Sequence, residues 1–132
     1  MNDGITFRKP KLLFDVGPNP NHVTFDDGKE LRRNIPWLHY VEARWDHAEL
    51  DTIKVEIGDW LIVISGQNLG PLFLAIEDRT LTRLRAQPRL REDREREFDT
   101  FATEIRFTKP LADNPAKKRG QTEFDLGGRE AL

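Results

Sequence analysis

The chain has 132 residues, of which 37% are hydrophobic and 33% are charged, and its formal net charge is -2. This length predicts one domain with a single modest core, and the near balance of charge gives no global attraction to phosphates or anionic lipid. The absence of cysteine excludes disulfides, thiol chemistry and cysteine-based metal centres. Since no uncharged stretch approaches the roughly 20 residues of a membrane span, we expect a soluble, cytoplasmic protein.

Segments at both ends of the chain differ from its middle. Residues 17–21 read Gly-Pro-Asn-Pro-Asn, which interrupts regular structure, so residues 1–21 are predicted to form an N-terminal arm or linker. Residues 109–132 hold few large apolar groups and are predicted to be a disordered tail, because too little burial would offset the entropy of ordering them. Residues 22–108 are therefore predicted to form a single α+β domain.

The first predicted element is a hairpin whose turn, Asp-Asp-Gly, ends at Gly28. A three-residue loop with Gly28 in the left-handed conformation would place Val23 opposite Leu31 and Phe25 opposite the aliphatic stem of Lys29. A two-residue loop would instead pair Phe25 with a glutamate. The longer loop is predicted because it gives one apolar face.

Residues 37–46, WLHYVEARWD, show a strand-like alternation. One face would carry Trp37, His39, Val41, Ala43 and Trp45. The preferred interpretation of the two tryptophans is core packing, and a stacking platform for nucleic-acid bases is the alternative. Tyr40 and Arg44 fall on the opposite, mixed face and are candidate partner-binding residues.

The most consistent stretch is residues 51–69, DTIKVEIGDWLIVISGQNL. Gly58 and Asp59 suit a two-residue hairpin loop. The predicted pairs are Ile57 with Trp60, Val55 with Ile62, and Ile53 with Ile64. Because a slip of one residue would turn all six side chains to the other face, pattern and turn predict the same register. The stretch is interpreted as core rather than as a functional site.

A helix is predicted over about residues 69–79, because apolar residues recur there at helical spacing. The apolar residues are Leu69, Leu72, Phe73 and Ile76. Pro71 is tolerated only in a first turn, so Asn68 is the predicted N-cap. Gly66 and Gly70 lie before this helix without a phosphate-loop motif, so a tight turn is predicted there rather than an anion site.

Residues 81–86, LTRLRA, are predicted to form a return strand, and the strict alternation of residues 101–107 predicts an amphipathic strand. The intervening charged segment is predicted to be a solvated loop or short helix. Together the elements predict an α+β fold in which one short helix packs on an antiparallel sheet of about five strands. A small SH3-like or Sm-like barrel is the alternative.

Catalytic constellations are not recognised in the sequence. His39 lies among aromatic residues, His47 lacks a metal-binding histidine spacing, and Ser65 lacks a nucleophile-elbow motif. We therefore predict no enzyme activity, no metal and no cofactor. The alternative is a small hydrolase-type enzyme in which His39 or His47 acts with Glu42 or Asp46.

The strongest feature outside the predicted core is a run of arginines without an acidic residue. The run comprises Arg79, Arg83, Arg85, Arg89 and Arg91. Arg83 and Arg85 would project from one face of a strand, where they could contact phosphates or an acidic partner. The acidic residues that follow could also neutralise them, which would leave a solvated charged face.

The leading functional prediction is a non-enzymatic interaction module that binds another macromolecule through the arginine surface or a sheet edge. The partner would be a protein or a nucleic acid, with no membrane partner. A single-stranded nucleic-acid-binding protein is the alternative. Homo-oligomerisation through a sheet edge, formed by residues 101–107 or 23–32, stays open.

Overall fold

The computed structural model describes residues 9–110, and every structural statement below concerns that part of the chain. The strands are β1 (Asp15–Val16), β2 (His22–Asp26), β3 (Arg32–Pro36), β4 (Tyr40–Arg44), β5 (Thr52–Ile57), β6 (Trp60–Gln67), β7 (Leu81–Arg85) and β8 (Phe101–Thr108). The α-helix α1 is Gly70–Glu77, and short 3₁₀ helices are formed by Trp37–His39, Pro88–Glu92 and Arg94–Arg96.

The strands form two sheets of four strands each. In the first, which we call the mixed sheet, the order is β1-β7-β2-β3 and β7 runs parallel to β2. In the second, the antiparallel sheet, the order is β4-β5-β6-β8. The α+β class is thus confirmed, but two sheets replace the predicted single antiparallel sheet of about five strands. The described strands do not close into an SH3-like or Sm-like barrel.

The inward-facing side chains of both sheets and of α1 form one contiguous core. The mixed sheet contributes residues such as Val23 and Phe25, the antiparallel sheet Ile62 and Ile64, and the helix Leu72, all of them fully buried. Each such side chain contributes about 1.5–3 kcal/mol through its removal from water. This shared core fixes which face of each sheet is left for solvent.

The hairpin at Gly58 and Asp59 has the predicted register. The observed pairs are Ile57 with Trp60, Val55 with Ile62, and Ile53 with Ile64. The five aliphatic members are fully buried and Trp60 is half-buried, and Gly58 has a φ of 60°. The interpretation of this stretch as core is confirmed.

The first hairpin has a different register from the predicted one. Val23 pairs with Ile35 and Phe25 with Arg33, instead of with Leu31 and Lys29. The predicted left-handed Gly28 is confirmed by its φ of 77°. The loop is longer than three residues, spanning residues 27–31, because the carboxylate of Asp27 accepts backbone N–H groups within the loop and so stabilises a wider turn.

Asp27 holds that loop in place, since its Oδ1 accepts the backbone N–H groups of Lys29 (2.8 Å), Glu30 (3.1 Å) and Leu31 (3.1 Å). The bond from Lys29 is the largest of the effects that lower the pKa of Asp27 below 3.8. A lowered pKa means that the ionised carboxylate stabilises the fold above pH 3.8, and that this contribution is lost as the pH falls through the folded-state pKa.

We expect Asp27→Ala to lower the Tm by roughly 2 to 4 °C at neutral pH, because three backbone donors lose their acceptor. The decrease should be smaller well below pH 3.8, because protonation of the native carboxylate removes its contribution there. Thermal unfolding followed by circular dichroism at both pH values measures the difference. A decrease of equal size at both pH values would contradict the role assigned to the ionised carboxylate.

The predicted strand over residues 37–46 is interrupted at its start. Trp37–His39 forms a 3₁₀ helix after Pro36, and only Tyr40–Arg44 is a strand. The 3₁₀ helix interrupts the two-residue alternation of a strand. As a result Trp37 is buried, whereas Val41, predicted on the same face, is 65% exposed. The single apolar face predicted for this segment is therefore wrong.

The helix is shorter than predicted, and its N-cap is Leu69 without a side-chain hydrogen bond. Asn68, the predicted N-cap, has a φ of 50°, and its side-chain amide donates to the backbone carbonyls of Glu97 and Asp99. The sequence could not indicate this, because the acceptors lie about thirty residues later in the chain.

The remaining predictions concern both ends of the domain. Strands β7 and β8 confirm the strands predicted over residues 81–86 and 101–107. Strand β1 lies within the predicted N-terminal arm and pairs with β7. The predicted tail, residues 109–132, lies outside the described residues except for Lys109 and Pro110.

Candidate functional site

The outer face of the mixed sheet carries the paired arginines that the sequence predicts. In β7 the alternation sends Leu84 into the core, so Arg83 and Arg85 point to the opposite side of the sheet. Both arginines are exposed. Their backbone positions are separated by about 7 Å along the strand.

The strand register brings a further arginine to this face. Asp26 of β2 pairs with Arg85 on one side and with Arg32 of β3 on the other. Because neighbouring strands lie about 4.8 Å apart, the backbones of Arg32 and Arg85 are about 10 Å apart. Arg32 is not among the site residues predicted from the sequence, because only the tertiary register places it on this face.

Two clefts meet at Arg85. One, of about 240 Å³, lies between Arg85 and Arg32 and is lined by Lys29 and by the carboxylates of Asp26 and Glu30. The other, of about 250 Å³, lies between Arg85 and Arg89. Gly28 lines both clefts. We use the name basic face for Arg32, Arg83, Arg85 and Arg89.

The arginines of the basic face have few ion-pair partners. Within residues 9–110, no carboxylate lies within 4.0 Å of the guanidinium groups of Arg83, Arg85 or Arg89. Arg32 lies 3.9 Å from the carboxylate of Asp26, at the limit of an ion pair. The acidic residues that follow in sequence therefore do not neutralise this face.

Arg44, unlike the arginines of the basic face, is paired with carboxylates. Its Nη1 donates to Glu42 and, at 2.8 Å, to Glu56. The hydrogen bond to Glu56, followed by that to Glu42, raises the pKa of Arg44 above its ordinary value. Arg44 lies on β4 of the antiparallel sheet, away from the strands that carry the basic face, and its charge is already balanced by these partners.

Tyr40 also lies on β4, where its ring packs edge-on against Trp37 at a centroid distance of 5.4 Å. Its burial is the largest cause of a raised pKa, followed by the nearby charge of Glu77. The hydroxyl therefore stays protonated at neutral pH. The structure assigns Tyr40 to packing around Trp37 and does not bring it into the mixed sheet.

The other predicted arginines line different clefts. Arg79 lies at the end of α1 in a cleft of about 550 Å³. Arg91 lies in a cleft of about 530 Å³ together with Gln67, Asp93 and Arg94. The run that is continuous in sequence is thus divided among three places, because a strand and a 3₁₀ helix point its members in different directions.

The tryptophans favour core packing over a base-stacking platform. Trp37 is 5% exposed, and its indole N–H donates to the carbonyl of Leu81 at 2.9 Å. Trp45 lies against Phe73 at a centroid distance of 5.5 Å and is half-buried. Neither ring lies on the outer face of the mixed sheet.

Arg33 is a residue that the sequence analysis missed. Its guanidinium carbon lies 3.6 Å from the ring centroid of Trp60 and 5.3 Å from that of Phe107, and Lys109 approaches the same indole at 4.8 Å. The Nε of Arg33 is buried without a hydrogen-bond partner among the described residues. This cation–π contact joins the two sheets, and such contacts contribute about 0.5–2 kcal/mol. Its inward position, two residues before Ile35, was the available signal.

The histidines lie at the surface. His39 is exposed in its 3₁₀ helix, and His47 is exposed in a turn. Between residues 9 and 110 no group of three or more His, Cys, Asp and Glu side chains is arranged to hold a metal ion. The alternative in which His39 or His47 acts with Glu42 or Asp46 stays a prediction.

The fold thus belongs to the α+β class, and its most distinctive surface is the basic face on one sheet. Comparisons of the chain with known protein families, with curated protein sequences and with solved structures find no match. No helix in the described part of the chain has the length and apolar composition that a membrane span requires.

Proposed function

We propose that the protein is a non-enzymatic interaction module that binds an acidic segment of another protein through the basic face. The observation that carries this proposal is the set of exposed guanidinium groups of Arg83, Arg85 and Arg89, which have no ion-pair partner among the described residues. Arg85 lies across β2 from Arg32, with Asp26 between them.

Arginine suits the recognition of carboxylates. Its planar guanidinium can donate two parallel hydrogen bonds to one carboxylate, and it loses less hydration than a lysine ammonium. The clefts on either side of Arg85 would receive the side chains of an extended segment. Leu31, which is 39% exposed at the rim of the 240 Å³ cleft, offers an apolar contact beside the charges.

A protein partner is favoured over nucleic acid because the outward side chains next to the arginines are polar rather than aromatic, among them Thr24 and Asn34 in the register row of Arg83. Single-stranded nucleic acids are usually bound with the help of stacked aromatic rings.

Charge reversal on the basic face tests the proposal. We expect the double variant Arg83→Glu with Arg85→Glu to weaken binding of a fluorescein-labelled oligoglutamate peptide about tenfold or more, because two attractive contacts become repulsive. Fluorescence anisotropy on the full chain measures the affinity. The matched control is Arg91→Glu with Arg94→Glu, which changes the same charge in a different cleft and should leave the affinity within about twofold.

The same variants should be compared in pull-downs with cellular partners. Equal weakening by both double variants would show a response to net charge alone and would contradict a defined site. Tighter binding of oligothymidylate than of oligoglutamate, lost in the Arg83 and Arg85 variant, would assign the face to nucleic acid instead. Retention of every partner by that variant would remove the basic face from the function.

A further inference from the structure

Another cleft is lined by none of the residues of the basic face. Its volume is about 550 Å³, within the range of small-molecule sites. One wall is formed by Asn19 in the segment before β2 and by His22, the first residue of β2. Another is formed by Trp37 and Leu38 after β3. The C-terminal end of α1 contributes Arg79.

Arg79 occupies a backbone position that normally favours glycine. It follows the last turn of α1 with a φ of 57°. Its N–H donates to the carbonyl of Ile76 (3.0 Å), and the N–H of Thr80 donates to that of Ala75 (2.9 Å). This is the paired hydrogen-bond arrangement of a Schellman motif, whose left-handed residue is most often glycine because it lacks a Cβ.

A second strained residue lies across the cleft. The non-glycine residues with positive φ in residues 9–110 are Asn19, Asn68 and Arg79. The conformation of Asn68 is explained by its amide hydrogen bonds to the carbonyls of Glu97 and Asp99. Asn19, with a φ of 47°, and Arg79 both line the cleft. The Schellman motif accounts for the φ of Arg79, but glycine is the residue usually found at that position, so the arginine side chain is not required by the helix end.

The lining indicates what kind of molecule fits. The guanidinium of Arg79 has no carboxylate within 4.0 Å among the described residues and is available to an anion. Pro20, Pro36, the buried ring of Trp37 and the 88% exposed Leu38 provide an apolar wall. Asp78 also lines the cleft and would repel a second negative charge.

We infer that this cleft binds a small organic monoanion, namely a carboxylate attached to an apolar or aromatic body. The carboxylate pairs with Arg79, and the apolar body lies against Trp37 and Leu38. This inference is independent of the basic face, because none of the arginines of that face lines the cleft.

The test uses the full ¹⁵N-labelled chain and phenylacetate as the probe. We expect a Kd on the order of 1 mM for so small a ligand. The indole N–H signal of Trp37 should shift on binding, whereas those of Trp45 and Trp60, which do not line the cleft, should stay in place. Phenylacetamide, which lacks the charge, and phenyl phosphate, which carries a second one, should bind about tenfold more weakly or worse.

The variant Arg79→Gly separates binding from folding. Glycine fits the left-handed position better, so we expect the Tm to rise by about 4 °C while the affinity for phenylacetate falls about tenfold or more. The variant Arg83→Glu with Arg85→Glu should bind phenylacetate as the unmodified chain does. The inference is overturned if phenylacetamide binds as well as phenylacetate, if Arg79→Gly keeps its affinity, or if the Trp37 signal does not move at millimolar ligand.

Discussion

Replacement of Gly66 by alanine is expected to lower the free energy of unfolding by about 3 kcal/mol or more. A Cβ at this position would lie 2.2 Å from the carbonyl oxygen of Phe101 and 2.9 Å from the Cα of Ala102, and it would also approach the side chain of Leu69 at 3.1 Å. The first two contacts are with backbone of the paired strand β8. Relief of the clash therefore requires β6 and β8 to move apart, with loss of their hydrogen bonds.

Gly70→Ala is the matched control. Its Cβ would meet only the Trp45 ring at 3.7 Å, an ordinary contact distance, and Gly70 begins α1 without a positive φ. We expect its stability to stay within about 0.5 kcal/mol of the unmodified chain. Urea denaturation followed by circular dichroism compares the two variants. A Gly66→Ala variant as stable as the control would mean that β6 and β8 are not packed as described.

Gly66 also illustrates what the sequence could indicate. The pattern predicts a tight turn between the strand and the helix, and the chain bends at Asn68, whereas Gly66 itself lies within β6. The reason for glycine is different, because β8 passes against Gly66 at a shift in register between Ser65 and Gly66. A bulge of this kind depends on a strand that follows in the chain only after α1 and β7, and local patterns do not reveal it.

The elements that were predicted correctly are those in which local signals coincide. In the Gly58 hairpin, the turn and the alternation of apolar residues indicate one register. The first hairpin failed because the side chain of Asp27 stabilises a longer loop, which the three-residue rule does not include. The parallel pairing of β2 with β7 was also missed, because contacts between strands distant in sequence leave no periodic signal.

In the candidate site, too, local patterns predict some residues and tertiary contacts determine the others. The two-residue period of β7 is sufficient to place Arg83 and Arg85 on one face. The addition of Arg32 requires the pairing of β2 with both of its neighbours, and the separation of Arg79 from the basic face requires the end of α1. A run of like charges in sequence therefore identified a basic surface but not its members.

Asp99 is the centre of a polar network that attaches the N-terminal segment to the domain. Its side chain is fully buried, and its Oδ1 accepts the backbone N–H of Lys11 at 2.9 Å. Its Oδ2 lies 3.3 Å from Nη1 of Arg96. The carbonyl of Asp99 accepts the side-chain amides of Gln67 and Asn68, each at 3.0 Å. Side chain and backbone of one residue thus connect β6, the charged segment and the N-terminal segment.

We expect Asp99→Ala to lower the free energy of unfolding by about 3 kcal/mol, because the half-buried guanidinium of Arg96 and the backbone N–H of Lys11 lose a fully buried acceptor. Asp99→Asn should cost about half as much, since its amide oxygen can still accept the Lys11 N–H. Asp93→Ala is the control: that partly exposed carboxylate lies 3.4 Å from the same arginine, and its removal should cost about 1 kcal/mol or less.

Hydrogen exchange locates the effect within the chain. The N–H of Leu13 donates to the carbonyl of Thr100, and the N–H of Thr100 donates to that of Lys11, so both amides report whether the N-terminal segment stays attached. Asp99→Ala should accelerate their exchange more than that of amides in the β5–β6 hairpin. If Asp93→Ala destabilises the protein as much as Asp99→Ala, or if the Leu13 amide keeps its protection, then hydrophobic contacts rather than this carboxylate hold the N-terminal segment on the domain.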